Sequence, residues 1–202
     1  IKNPLRNSRG LNTSAVYGFT RDLLRIIDEE EPDLVAVVFD VSKRTFRHAR
    51  YEAYKATRAR MPDELVDALP YVDKVVDALG LPRLGIEGYE ADDIVATLAL
   101  KGEALGYDVR IVTGDKDFCQ LVTDRIRVYN PWRQNLPKNA MAEVLDPAGC
   151  VERYGLAPNR FRDYLALVGD SSDNVPGVPG VGPKRALELL QQFTDLDQLL
   201  ER

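Results

Sequence analysis

Hydrophobic positions along the chain predict helices and strands in alternation. Apolar residues at helical spacing favour one helix that begins after Thr13 or Ser14, and a second over residues 62–79 that Gly80 would end. The continuous apolar run at residues 34–39 predicts a strand buried on both faces. Shorter runs predict strands at residues 83–86, 109–113 and 126–129, and a further helix after residue 93 that Gly106 would close.

This alternation favours an α/β fold with a mostly parallel central sheet flanked by helices. From about residue 146 the pattern becomes helical, with short helices separated by turns. We therefore expect a core over residues 1–155 and a helical subdomain over residues 156–202.

Composition excludes several classes of protein. With 45% hydrophobic and 29% charged residues among 202, the chain is too apolar to be intrinsically disordered. No apolar run approaches the roughly 20 residues of a membrane span, so no membrane partner is expected. Cys119 and Cys150 lie in no CxxC pattern and His48 is the single histidine, so neither a zinc site nor a disulfide framework is indicated. A reducing, cytoplasmic setting follows.

Acidic residues stand where predicted strands end or the following helices begin. Because the carboxyl ends of parallel strands share one edge of a sheet, we expect three of these groups to meet in one cleft and a fourth, from the helical tail, to close it. The groups are Asp40; Glu90, Asp92 and Asp93; Asp115 and Asp117; Asp170 and Asp173.

Eight carboxylates in one cleft would repel one another, by about 4 kcal/mol for a pair about 4 Å apart at an effective dielectric near 20. Divalent cations would relieve this repulsion, and oxygen ligands alone suit Mg²⁺ or Mn²⁺. Two such ions are the arrangement that cleaves phosphodiesters. The alternative is that these acids are helix N-caps and partners of the helix dipole.

A basic, aromatic segment follows Asp40. Its cations are Lys43, Arg44, Arg47, Arg50, Lys55, Arg58 and Arg60, interleaved with Phe46, Tyr51 and Tyr54, and Glu52 is its single acid. Lys and Arg for phosphates and aromatic rings for bases are the usual means of binding single-stranded nucleic acid. A solvated helix face is the alternative. The net charge of −5 is compatible with nucleic acid if the eight acids are offset by bound metal.

A glycine-rich stretch over residues 175–185 runs into a predicted helix. Such a hairpin exposes backbone N–H groups to phosphate, and resembles the hairpin of helix–hairpin–helix motifs that bind the DNA backbone. A plain structural turn is the alternative. The residues expected to contact DNA are Gly177, Gly180, Gly182, Lys184 and Arg185.

Six stretches together resemble a known family, the 5′-nuclease (flap endonuclease) domain at the N-terminus of bacterial DNA polymerase I. They cover most of the chain in the expected order, at residues 4–19, 38–40, 45–48, 88–93, 112–118 and 169–177. The resemblance implies a PIN-like, 5′-nuclease core, a helical arch at about residues 43–61 and a C-terminal helix–three-turn–helix.

The resemblance also implies roles for individual residues. The eight acids above match the family's metal ligands, with Asp40 and Asp115 central to catalysis. Lys55, with Arg47 beside it, would polarise the scissile phosphate while a metal-activated water attacks, and Tyr54 would stack on a base. The charge pattern of the basic segment predicts that Lys43, Arg44, Arg50 and Arg58 contact DNA. The resemblance implies that the hairpin at 177–184 binds the duplex, with a K⁺ ion on its carbonyls.

The implied activity is 5′→3′ exonuclease and flap cleavage in replication and repair. The substrates would be DNA with 5′ flaps, nicks or 5′ ends, and RNA primer strands. A monomeric, nucleoid-associated domain with a polymerase in cis downstream is expected. The family's first strand, which carries a further metal-binding Asp, would lie upstream of Ile1.

Two other functions stay open. A chain without that first-strand Asp could be an inactive module that binds branched DNA. A phosphatase of the haloacid-dehalogenase type would use Asp115 and Asp117 as its acid pair, but it needs that pair after the first strand of the sheet and leaves the basic segment unexplained.

Overall fold

Residues 4–134, 136, 140–193 and 195–201 are described by the computed structural model of the chain. Contacts divide the chain into two units. The first comprises residues 1–45 and 59–94, and the second comprises residues 46–58 and 95–202. The expected boundary at residues 155 and 156 falls inside the second unit.

The first unit contains helices and one short pair of parallel strands. Its elements are α1 (Ser14–Glu30), β1 (Val37–Val38), α3 (Asp63–Val66), α4 (Leu69–Ala78), β2 (Arg83–Leu84) and the beginning of α5 (Ala91–Ala104). Thr13 occupies the N-cap of α1, as predicted, but its hydroxyl donates to the Leu5 carbonyl oxygen instead of capping the helix.

The strand predicted at residues 34–39 is shorter and more exposed than expected. Pairing is confined to Val37 and Val38, which run parallel to β2, and both are only half-buried. Leu34 is 71% exposed, so the prediction of a strand buried on both faces is wrong. Within the described residues β1 has one neighbouring strand, which explains why continuous hydrophobicity did not produce a buried central strand.

The helix predicted over residues 62–79 is divided into α3 and α4. Pro70 lies in the first turn of α4, where its missing N–H is tolerated, but it could not donate inside one continuous helix. Val72 and Val76 are buried as their spacing predicts, whereas Leu65 is more than a third exposed. The stop at Gly80 is confirmed, and this residue adopts φ +68°.

The second unit carries most of the sheet structure. Strand β3 (Val109–Val112) runs parallel to β4 (Ile126–Asn130), which pairs antiparallel with β5 (Glu143–Leu145); β6 (Gly169–Asp170) and β7 (Val175–Pro176) form a separate antiparallel pair. The helices are α2 (Phe46–Arg50), most of α5, α6 (Pro147–Tyr154), α7 (Phe161–Val168), α8 (Pro183–Gln192), α9 (Leu196–Leu200), and 3-10 helices at Lys116–Leu121 and Pro158–Arg160.

One hydrophobic cluster joins these elements of the second unit. Ile126 of β4, Phe161 of α7 and the two cysteines are almost completely buried in it. Burial of this kind contributes about 25 cal/mol per Å² of apolar surface, so the strands and helices that position the polar residues below are held firmly. The α/β class with parallel strands is confirmed, although the strands form small separate sheets. Among the described residues, no helix is both long and apolar enough to cross a membrane.

Candidate nuclease site

In the first unit, Asp40 is brought to the start of α5. Its Oδ1 accepts a hydrogen bond from the backbone N–H of Ala91 at 2.7 Å. Asp93 accepts one from the N–H of Glu90 at 3.1 Å, and Glu90 is only 6% exposed. Two of the predicted acidic groups therefore meet within this unit. The same bonds also satisfy the first N–H groups of α5, as the capping interpretation required.

In the second unit, Asp115 and Asp117 lie at the start of the first 3-10 helix. Asp115 caps it by accepting from the N–H of Asp117 at 2.9 Å, and Asp117 accepts from Lys116 Nζ at 3.0 Å. Burial raises the pKa of Asp117; Lys116 opposes this effect, and the charges of Asp115 and Asp170 add to it. These three carboxyl groups are therefore close enough to repel, with Lys116 as their local counter-charge.

Asp170 is fixed by the backbone of its own loop. Its Oδ1 accepts from the N–H of Ser172 at 2.7 Å and from that of Asp173 at 3.2 Å. Burial raises its pKa, but the two N–H donors, helped by Lys116, more than compensate, and the pKa of Asp170 is lowered overall. Asp170 is therefore held as a carboxylate, which is the form that a cation would bind.

Asp173 is bound differently, by side chains of the basic segment. Tyr54 Oη donates to its Oδ2 at 2.8 Å, and Arg58 Nη2 donates to its Oδ1 at 2.7 Å. The expected roles of all three residues need correction for this conformation. Tyr54 is 6% exposed, so its ring is not available for a base; Arg58 bonds the chain itself; and both oxygens of Asp173 are occupied.

A cavity of about 560 Å³ in the second unit collects opposite charges. Arg47 and Arg50 of α2 lie on its wall together with Asp117, Asp170 and Asp173. The guanidinium of Arg47 packs 4.6 Å from the centre of the Phe46 ring, which holds it in place. A phosphate drawn to the arginines would thus lie beside carboxylates able to hold cations.

The remaining predicted cations are placed as follows. Lys55, with φ +57°, has its ammonium 5.0 Å from the centre of the Tyr54 ring, and it is not among the described residues that line the cavity. Its role at the phosphate would require the side chain to move. Lys43 and Arg44 are exposed residues of the first unit.

The eight carboxylates expected to form one cage are divided between the two units, four in each. Within the described ranges, no three His, Cys, Asp or Glu side chains are grouped so that they could hold a metal ion. A physical reason is visible in the second unit, where Lys116 and Arg58 already lie against two of the carboxylates. Asp115, Asp117 and Asp170 still offer carboxylate oxygens, the ligands that a hard divalent cation prefers, and the hydrogen bonds described for each of them reach Oδ1.

The glycine-rich stretch forms an exposed turn that leads into α8. Gly180 adopts φ +79°, Gly182 is the N-cap of α8, and Lys184 and Arg185 are exposed in its first turn. Gly177 has a different reason to be glycine: a Cβ there would collide with the backbone of Val168. Its expected contact with DNA is thus not needed to explain it, whereas the other four residues are exposed.

Several residues of the site escaped sequence reasoning. Lys116 stands between two predicted ligands and is their counter-charge. Asn174, with φ +58°, donates to the Ala53 carbonyl oxygen at 2.7 Å and so holds the basic segment. In the hydrophobic cluster of the second unit, the thiols of Cys119 and Cys150 interact with each other, and burial raises the pKa of both. The position of Lys116 between two acids could have indicated its role. The contacts of Asn174 with Ala53 and of Cys119 with Cys150 could not be predicted, because they join residues far apart in the sequence.

Comparison with known families decides what this arrangement belongs to. A model of the 5′-3′ exonuclease N-terminal, resolvase-like domain matches residues 1–155, and one of the 5′-3′ exonuclease C-terminal SAM fold matches residues 156–202. The chain belongs to the 5′-3′ exonuclease family. The resemblance drawn from the sequence motifs is confirmed.

Bacterial DNA polymerases are among the curated relatives of this exonuclease chain. It is 46% identical over 197 residues to the thermostable DNA polymerase I of Thermus thermophilus, and 42% identical over 199 residues to DNA polymerase I of Bacillus subtilis. Each alignment covers 98% of this chain and 22% of the relative. The chain thus spans about a fifth of the length of the relatives it matches.

Solved structures show the same fold at low identity. The bacteriophage T5 D15 protein, co-crystallised with metal ions, matches with a TM-score of 0.75 and 21% identity over 92% of this chain and 71% of that one. The catalytic core of Rad2 in complex with a DNA substrate matches with a TM-score of 0.61 and 20% identity over 96% and 57%. The exonuclease chain therefore has the nuclease fold expected from its sequence.

Proposed function

We propose that this chain is a divalent-metal-dependent 5′→3′ exonuclease and flap endonuclease that hydrolyses phosphodiester bonds of DNA. The family supports the nuclease activity, and the observation that carries the proposal is the cavity of the second unit. Arginines that could bind a phosphate and carboxylates that could bind cations line this same cavity. Mg²⁺ or Mn²⁺, two or more ions, is proposed because the donors are carboxylate oxygens.

The chain's own residues would prepare the phosphate for attack by water. Arg47 and Arg50 would bind its oxygens and offset the negative charge that grows in the transition state, with Lys55 joining them once its side chain leaves Tyr54. Asp115, Asp117 and Asp170 would hold divalent ions in the second unit, and Asp40, Glu90, Asp92 and Asp93 would be metal ligands of the first. Bound divalent ions would supply Lewis-acid stabilisation of the attacking and leaving oxygens.

Duplex binding would fall to the turn before α8. Gly180 and Gly182 would offer backbone N–H groups, and Lys184 and Arg185 would add positive charge beside them, contacts that fix position on DNA without reading sequence. A K⁺ ion on the carbonyls of residues 177–184 belongs to this proposal. The proposal also includes a helix–three-turn–helix subdomain at residues 156–202, a monomeric state and RNA primer strands as substrates. It further includes a polymerase in the same polypeptide, which the DNA polymerase I relatives support.

The test is cleavage of a 5′-labelled flap substrate by the chain with Mg²⁺, with Mn²⁺ or with EDTA. We expect cleavage near the flap junction with either ion and none in EDTA. A fully paired duplex with blocked ends serves as the control substrate and should stay intact. Binding of the flap without cleavage under any metal condition would contradict the proposal and would favour the inactive branched-DNA binder instead.

A further inference from the structure

Side chains of the basic segment donate hydrogen bonds to both oxygens of one carboxylate of the site. Asp173 accepts from Tyr54 Oη on one oxygen and from Arg58 Nη2 on the other, and Arg58 Nε also donates to the Ser172 carbonyl oxygen at 3.2 Å. We call Tyr54, Arg58 and Asp173 the clamp. Bonds of this kind, with a charged acceptor, are stronger than those between neutral groups.

Backbone contacts close the same interface within the second unit. The N–H of Lys55 donates to the Asp173 carbonyl oxygen at 2.9 Å, and the Asn174 side chain donates to the Ala53 carbonyl oxygen. Lys55 and Asn174 both adopt positive φ, a conformation that residues other than glycine seldom take. Residues 53–58 are therefore fastened to residues 172–174 by several bonds at once.

The two bonds on Asp173 differ in how easily they can be exchanged. Tyr54 is buried, and its edge-on contact with the His48 ring holds it in place. The Arg58 side chain is 53% exposed and that of Asp173 is 23% exposed, so their ion pair is partly hydrated. Ion pairs of this exposure are weak, so a divalent cation on the same carboxylate would displace Arg58.

We propose that Arg58 is an internal counter-cation that competes with a divalent metal ion for Asp173, so that the clamp keeps residues 53–58 in a resting position until metal binds. The proposal rests on the proposed metal-dependent function. This role of Arg58 differs from the contact with DNA phosphates that the sequence predicts. That contact would become possible only after the Arg58 side chain is released from Asp173. It also accounts for the difference between two neighbouring acids: side chains bond both oxygens of Asp173, whereas the hydrogen bonds described for Asp170 come from backbone N–H groups and reach Oδ1.

The first measurement is Mn²⁺ binding by isothermal titration calorimetry, on the wild-type chain and three variants. Arg58→Gln should bind Mn²⁺ about three- to tenfold more tightly, because the ion no longer displaces a charge-assisted bond. Tyr54→Phe keeps the buried ring and should gain about twofold. Arg60→Gln is the matched control: it removes the same charge two residues away, from an exposed pair with Asp63, and should bind as wild type does.

The second measurement reports the position of the segment without any activity. Endoproteinase Lys-C cuts after lysine, and Lys55 lies inside the clamped stretch. In EDTA we expect slow cleavage after Lys55 in the wild-type chain and about fivefold faster cleavage in Arg58→Gln, which keeps the Lys55 site. Mn²⁺ should accelerate cleavage of the wild-type chain and change that of Arg58→Gln little.

Equal Mn²⁺ affinity in wild type, Arg58→Gln and Tyr54→Phe would overturn the competition while leaving the metal-dependent nuclease intact. So would cleavage after Lys55 that is insensitive to Mn²⁺ in the wild-type chain. A wild-type chain that neither binds Mn²⁺ nor cuts flaps would overturn the proposed function, and this inference with it. The two failures are therefore distinguishable.

Discussion

The cavity and the turn before α8 were both expected to contact DNA, yet the second unit presents their charges in different ways. Arg47 and Arg50 line the cavity together with three aspartates, so positive charge is balanced within the protein. At the turn, Lys184 and Arg185 are exposed beside the N-terminus of α8, and Arg185 meets one acid, Glu188, at 3.2 Å. Balanced charge suits chemistry on a bound phosphate, and outward charge suits grip on a duplex.

Removing one carboxylate beside the cavity should give the largest effect. Asp115→Asn keeps an oxygen to cap the 3-10 helix but loses the charge that would hold a cation. We expect flap cleavage to fall about a hundredfold to a thousandfold, the usual loss when one electrostatic group is removed from an active site, while DNA affinity holds or rises. Single-turnover cleavage and fluorescence anisotropy measure the two quantities.

Asp146→Asn is the matched control for that substitution. Asp146 caps α6 through the N–H of Gly149 in the same way that Asp115 caps its helix, but it lies outside the proposed site. This variant should cleave at the wild-type rate. Wild-type cleavage by Asp115→Asn would show that its carboxylate is a cap alone, and the contrast between cavity and turn would then lose its catalytic half.

A substitution at the turn should change binding and spare the chemistry. Lys184→Ala removes an exposed cation, so duplex affinity should fall about tenfold near 50 mM salt, and the slope of log affinity against log salt should decrease by about one. Cleavage at saturating DNA should stay unchanged. Anisotropy titrations at several salt concentrations test this. A lower saturated rate with unchanged affinity would reverse the roles that we give to the two regions.

A substitution that loosens the end of α8, the helix that follows the turn, should have a smaller effect. Arg160 Nη2 donates to the carbonyl oxygens of Leu190 at 3.1 Å and Phe193 at 2.8 Å, and so binds the C-terminal end of α8. Arg160→Gln should lower the free energy of unfolding by about 1 kcal/mol, measured by urea denaturation. The exposed Arg162 provides the control, and Arg162→Gln should unfold as wild type does. Equal stability of both variants would show that Arg160 is not needed to hold this helix.

Sequence reasoning succeeded where chemistry follows directly from position along the chain. The rule that acids collect at strand ends predicted that Asp40 would lie near the start of α5, and the hydrogen bond to Ala91 agrees with it. The helix stops at Gly80 and Gly106 followed from the need for positive φ. Such features depend on a few neighbouring residues and on one topological rule.

The rest depended on contacts between distant residues. Nothing local indicates that Tyr54 will bond Asp173, 119 residues away, instead of facing a base. A run of charge reads the same whether it faces solvent or folds onto acids, so Arg58 was assigned to DNA. The length of a strand likewise depends on its neighbours in the sheet. The strand predicted at residues 34–39 is therefore longer and more buried than the observed one, Val37–Val38.

The smallest expected effect compares two acids of the cavity through pH. The pKa of Asp170 is lowered in the folded chain, so its ionised form contributes stability that is present above its unfolded pKa and is lost as pH falls through the folded one. Asp170→Asn should therefore destabilise the chain more at pH 7 than at pH 3, by less than about 1 kcal/mol since the group is partly hydrated.

The pKa of Asp117 is raised mainly by burial, so its ionised form opposes folding at neutral pH, and Asp117→Asn should relieve that cost at pH 7 and not at pH 3. Urea denaturation of both variants at the two pH values measures the opposite signs. If both substitutions change the free energy of unfolding in the same direction between pH 3 and pH 7, backbone donors and burial do not shift the pKa values of Asp170 and Asp117 in opposite directions.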